Sequence, residues 1–176
     1  MKTSHNSFFN ISVIILRIMS VTAVTCCVMF IFYNSSRSAD VSGNISGAVT
    51  SAVNQTLKSS SVDFAFSDAV IRKFAHVVEF AALGFFFTVC LRAFTRRLMA
   101  FSAWPLLFSL FIAVCDEFLQ YFVPGRSAQV SDIIIDFTGV CAGTAAAMLV
   151  ICIVGFIMWL VYGRKHKKYP LAEKSI

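Results

Sequence analysis

Apolar residues gather in runs of roughly 18 or more along this chain, the length that crosses a hydrocarbon core as a helix. The first run extends from Ile11 to Tyr33 and is interrupted by Arg17. That arginine lies about one and a half turns in, close enough to snorkel back to the near interface. A cleaved signal peptide would have a shorter apolar region, and Arg37 sits awkwardly for a small-residue cleavage site ending at Ala39. An uncleaved first span is therefore expected. The second run goes from Phe74 to Leu91 and is closed by Arg92, Arg96 and Arg97. The third begins near Leu98 or Trp104; Pro105 suits a first helical turn, so the deep part starts there and ends near Phe122. A Pro124-Gly125 turn breaks the chain before a fourth run, from about Asp132 to Tyr162. That run is longer than one crossing needs, which implies tilt or an extension into the headgroups.

The polar stretch from Asn34 to Arg72 is rich in Ser, Asn and Gly and cannot span. Within it Ile45, Val49, Ala52, Val53 and Leu57 recur at helical spacing. A short helix on the membrane surface or over the other spans fits this pattern, and a flexible loop fits it equally. The elements together predict an all-α membrane protein of about four transmembrane helices. Residues 1–33 form the amino-terminal segment and first span, 34–72 an extracytoplasmic loop, 73–162 a three-helix membrane domain and 163–176 a basic tail. Lysine and arginine bias orients it. Lys2, Arg92, Arg96, Arg97, Arg164, Lys165, Lys167 and Lys168 fall on one side under four spans. Both termini are expected to be cytoplasmic (N-in/C-in). Gly139 and Gly143 make a GxxxG step beside Ala142, Ala145, Ala146 and Ala147. Such a small-residue face allows close helix approach, within the monomer or in a homodimer.

Composition agrees: of 176 residues 58% are hydrophobic and 14% charged, against nearer 25% charged in a soluble domain. The formal charge of +6 is distributed between the apolar runs and at the ends. It acts there as a topology signal and a contact to anionic lipid, and nucleic acid is not an expected partner. The six cysteines, Cys26, Cys27, Cys90, Cys115, Cys141 and Cys152, all fall inside apolar runs. None forms a CxxC pair or has a histidine at zinc-like spacing, so they read as small packing residues.

Ionisable residues within spans are functional hypotheses by default. The second helix opens with Arg72, Lys73, His76 and Glu79; the third ends with Asp116, Glu117 and Gln120; Arg126 precedes the fourth, which opens with Asp132 and Asp136. Under four spans the second helix runs inward, the third outward and the fourth inward. A rise of about 1.5 Å per residue puts Glu79 roughly 9 Å below Lys73, Asp116 roughly 9 Å below Phe122 and Asp136 roughly 6 Å below Asp132. Three polar stretches distant in sequence are thus expected at one level, in the outer leaflet. His76 and Glu79 (i, i+3), Asp116 and Gln120 (i, i+4) and Asp132 and Asp136 (i, i+4) each share a helix face. Five carboxylates then face Lys73, Arg126 and His76. Some must take up protons, face water or bind a cation, so the patch suits proton chemistry or a divalent metal held by oxygen and imidazole. Helix-register fixing by paired charges is the structural alternative.

The segments RKFAHVVEFAALG at 72–84, DEFLQYFVPGR at 116–126 and DIIIDFTGVCAG at 132–143 resemble the VanZ-like family in order and spacing. The resemblance covers about 70 residues in three blocks. Members often have His where this chain has Leu119 and Tyr where it has Phe80. The resemblance implies a small multi-pass protein of the bacterial inner membrane. It also implies an envelope setting, since the founding member is associated with teicoplanin resistance. The positions it carries over are Lys73, His76, Glu79, Asp116, Glu117, Gln120, Arg126, Asp132 and Asp136. The leading expectation is a protein that binds or modifies an envelope lipid or amphiphile at the outer leaflet. Lys73 and Arg126 would engage an anionic headgroup. Gln120, Asp132 and Asp136 would join them in binding, while His76, Glu79, Asp116 and Glu117 are the acid–base candidates. No GxSxG or HExxH motif names a reaction. A non-enzymatic membrane interaction protein and a proton-linked carrier are the alternatives.

Overall fold

A computed structural model describes residues 2–60 and 64–167; of the basic tail, Lys168 and the residues after it lie outside the described residues. Six helices and no strand occur among the described residues: α1 (Lys2–Ser35), α2 (Ala39–Ser59), α3 (Asp68–Phe94), α4 (Leu98–Phe101), α5 (Ala103–Tyr121) and α6 (Val130–Lys167). Four segments are long and apolar enough to cross a membrane: Ile11–Ser35, Asp68–Phe94, Leu98–Tyr121 and Val130–Val161. Their outer faces carry exposed Ile15, Met29, Phe111, Phe118, Leu149 and Trp159. A soluble protein would bury such a surface; here it is the face lipid solvates.

Local chemistry sets the helix limits. Ser67 caps α3, its hydroxyl accepting from the Val70 amide at 3.4 Å, with Asp68 in the first turn. The helix therefore starts ahead of the apolar run that begins at Phe74. Helices α4 and α5 are separated at Ser102, because Pro105 has no amide proton for the Phe101 carbonyl. Between α5 and α6 the chain turns at Gly125, whose φ of 77° is a left-handed conformation.

The stretch between the first two spans is the helix α2 rather than a loop. Its buried face differs from the apolar stripe read in the sequence. Ser46 and Thr50 are buried, while Val49 and Ala52 of that stripe stay exposed and Val53 and Leu57 are half-buried. Two small hydroxyl side chains can approach α3 closely because they satisfy themselves within the helix, Ser46 donating to Gly43 O and Thr50 to Ser46 O. Asn54 fastens the return segment, donating to Phe66 O at 3.0 Å and accepting from the Phe66 amide at 2.8 Å.

Helix α3 is the central element and packs against α1, α2, α5 and α6. Its closest partner is α6, through glycines. A Cβ added at Gly139 would lie 3.2 Å from Val77 Cα, one at Gly84 3.0 Å from Val140 Cα, and one at Gly143 2.9 Å from Ala81 Cα. The GxxxG step thus brings two backbones together inside the chain. Ile31, Phe80, Leu83, Ala113 and Val140 form the core beside this seam, flanked by Val28, Phe87 and Phe137.

Cross-helix contacts fix the directions. Arg17 on α1 donates to Ala93 O at 3.1 Å, and its guanidinium lies 5.1 Å from the Phe94 ring centre. Asn34, near the other end of α1, reaches Glu79 on α3. Helix α1 therefore runs antiparallel to α3, whereas α6 runs parallel to it. One end of the bundle gathers Arg17 and the segment holding Arg92, Arg96 and Arg97. The opposite end gathers the acidic and amide side chains.

Candidate functional site

Four elements build the polar end: the last residues of α1, the first three turns of α3, the last two turns of α5 and, after the Pro124-Gly125 turn, the first two turns of α6. Asp116 on α5 is fully buried, like the apolar core, and Asp136 on α6 is 3% exposed. One ligand atom each of His76, Asp116 and Asp136 lie within 4.8 Å of one another. The matched depths read from the sequence are therefore matched contacts: α3, α5 and α6 deliver their polar residues to one place.

A chain of hydrogen bonds orders them. Arg126 Nη1 donates to Gln120 Oε1 at 3.2 Å, and Gln120 Nε2 donates to Asp116 Oδ2 at 2.9 Å and to Ser35 Oγ at 3.4 Å. Asn34 Nδ2 donates to Glu79 Oε1 at 2.8 Å. The Gln129 amide donates to Glu117 Oε1 at 2.7 Å, tying the loop before α6 to α5. Lys73 pairs with Asp132 at the rim, where both side chains are partly exposed. The loop residue Arg126 is half-buried; burial and the neighbouring Arg72 hold its pKa below the usual arginine range, against Asp116, Glu117 and Glu79, which raise it.

What remains unmatched is as informative. His76 Nδ1, Glu79 Oε2, Asp116 Oδ1, Glu117 Oε2 and Arg126 Nε are buried without a protein hydrogen-bond partner. His76 Nδ1 and Glu79 Oε2 are 3.9 Å apart, too long for a hydrogen bond. Buried polar atoms are nearly always paired, so five in one place call for a further occupant of the site.

The profile of the VanZ/LLP1 family matches residues 20–164. The chain belongs to the VanZ/LLP1 family. No curated protein and no solved structure matches the chain. The matched range takes in the second half of α1, all of α2 to α5 and nearly all of α6, so both cavities at the polar end of this VanZ/LLP1 protein are formed within it.

The first of these, of about 130 Å³, is lined by Arg72, His76, Glu117, Arg126, Asp132 and Asp136 among others. The second, of about 300 Å³, is more apolar and is lined by Phe30, Val49, Ile71 and Ala75 together with Arg72, His76, Glu79 and Arg126. Arg72, His76 and Arg126 line both. All nine sequence-predicted site residues fall at this end. Lys73, His76, Glu117, Gln120, Arg126, Asp132 and Asp136 line the polar cavity, Glu79 lines the apolar one, and Asp116 is fully buried in contact with Gln120. Sequence reasoning missed Asn34, Ser35 and the Gln129 amide. The first two follow directly on an apolar run and look like the start of a loop; the third is a backbone group that no side-chain pattern marks.

Proposed function

We propose that this VanZ/LLP1 protein binds the anionic headgroup of an envelope amphiphile, at the outer face of the bacterial inner membrane. The observation that carries this reading is the pair of cavities sharing Arg72, His76 and Arg126. A polar recess rimmed by arginines suits a phosphate, and the more apolar recess beside it suits the first part of a chain. Arg126 is the principal headgroup contact, because its Nε keeps an unmatched donor while Gln120 holds Nη1. Lys73 and Asp132 pair at the rim and set the entrance. The cationic bias at the opposite end, with Arg92, Arg96 and Arg97, supports the outer-face position. A change in susceptibility to teicoplanin is a consequence to test, since a ligand of the outer leaflet is shared ground for both.

A register-fixing role has support of its own. The bonds from Asn34 to Glu79 and from Gln120 to Asp116 and Ser35 join helices without any ligand. That role leaves the buried, unmatched Arg126 Nε donor without an account, and a headgroup phosphate gives it one.

Native mass spectrometry of the purified chain tests the proposal. The wild-type protein is expected to retain phosphatidylglycerol over phosphatidylcholine from mixed nanodiscs, and Arg126→Gln to lose that preference by about tenfold, roughly one charge-assisted contact. Equal retention of the two lipids by the wild type would contradict it.

A further inference from the structure

The unmatched oxygen of Asp116 points to more than an organic headgroup. Asp116 is fully buried, yet its Oδ1 has no protein partner. Its other oxygen is held by Gln120, which fixes the carboxylate. Asp136 is buried beside it on a different helix, and His76 reaches the same point from a third. Two buried carboxylates so close repel each other when ionised, and a shared proton or a cation between them relieves that repulsion. Lys73 is paired with Asp132, and Arg126 donates to the neutral Gln120 amide rather than to either carboxylate.

We propose that His76, Asp116 and Asp136 form a binding site for a divalent transition-metal ion, of the zinc or manganese class, beside the polar cavity. The donor set selects the class. One imidazole with two carboxylates favours a borderline ion over calcium or magnesium, which take oxygen ligands alone. The geometry admits it. Ligand atoms about 2.1 Å from a metal lie roughly 3.0–3.4 Å apart, so the widest pair has to close by at most roughly 1.8 Å, within reach of side-chain rotation. Three protein ligands leave coordination positions open toward the cavity, the pattern of sites that receive an outside oxygen ligand. An outer shell is in place as well. Gln120 orients Asp116, and binding through His76 Nε2 leaves Nδ1 facing Glu79, itself held by Asn34. The site deepens the amphiphile reading, since metal and Arg126 would then share one headgroup phosphate; the ligand cluster stands independently of that lipid.

The test is metal content and spectroscopy on the full chain in detergent. Wild-type protein purified without chelator is expected to hold about one equivalent of zinc or manganese. After stripping, it should take up Co²⁺ with visible d–d absorption, and its Mn²⁺ form should show nitrogen coupling in pulsed EPR. His76→Ala should abolish that coupling. Asp116→Asn and Asp136→Asn should each weaken Co²⁺ binding beyond the roughly 10–100-fold typical of outer-shell losses, while Asp68→Asn should leave it unchanged. The wild-type spectra decide the matter even where a variant fails to fold. Absence of both metal and a Co²⁺ band in wild-type protein overturns the site, as does undiminished binding in the Asp116→Asn/Asp136→Asn double variant, which marks an adventitious ion only. Metal retained with no lipid preference overturns the amphiphile reading and leaves the site standing. Lipid preference without metal overturns the site alone.

Discussion

Adding one methyl group at Gly143 tests the close packing that assembles the polar end. An alanine Cβ there would lie 2.9 Å from Ala81 Cα and nearer still to the Ala81 carbonyl oxygen. Both are backbone atoms of a buried helix and cannot rotate away, so α3 and α6 must separate. Overpacking of this kind costs about 1–3 kcal/mol. The same substitution also gains about 1 kcal/mol of helix propensity, which would mask part of the loss. Gly155, further along α6, supplies the control, because a Cβ there meets nothing within 4 Å. Propensity is common to both changes, so the difference in stability between Gly143→Ala and Gly155→Ala isolates the clash. Reversible unfolding in mixed micelles is expected to place Gly143→Ala about 1–3 kcal/mol below Gly155→Ala. The variant should also lose the metal and lipid binding of the polar end, which depends on His76 and Asp136 staying together across the seam. Equal stability of the two variants would refute the backbone contact.

Other perturbations separate strong contacts from weak ones. Gln120→Leu should destabilise the chain by about 1–3 kcal/mol for each buried group it strands, on Asp116 and on Arg126, measured in the same micelles. Lys73→Ala should change stability by no more than about 1 kcal/mol, because the pair with Asp132 is partly exposed. The exchange of Lys73→Asp with Asp132→Lys should restore whatever that change removes. Arg17→Ala removes both a hydrogen bond to Ala93 O and a contact over Phe94. It should cost about 1–2 kcal/mol while leaving lipid preference intact, since it acts at the far end of the bundle.

The depth arithmetic succeeded because helical rise is fixed: once Glu79, Asp116 and Asp136 are assigned to spans of known direction, their levels follow. Rotation about each helix axis is not fixed that way. The sequence could therefore not show that Asp116 and Asp136 face His76 while Asp132 turns to Lys73 at the rim. Gly139 and Gly143 announced a close approach, but which helix they approach depends on the whole bundle; α3 meets them with Val77 and Ala81. In α2 the periodic apolar residues drew attention to one face, and burial went to Ser46 and Thr50, whose small size allows contact with α3. Asn34 and Ser35 escaped notice because polar residues after a span are ordinary loop material, and their role appears only when the end of α1 is set against α3 and α5.

An anionic amphiphile lying across the two cavities is the claim that photo-crosslinking tests. A diazirine amino acid in place of Ile71, which lines the apolar cavity, is irradiated in native membranes, with a probe at the exposed Leu149 as reference. The adducts at 71 should be enriched in anionic phospholipid or phosphate-linked amphiphile relative to those at 149, and Arg126→Gln should erase the enrichment. Adducts of the same composition at both positions, in the wild-type protein, would contradict the claim.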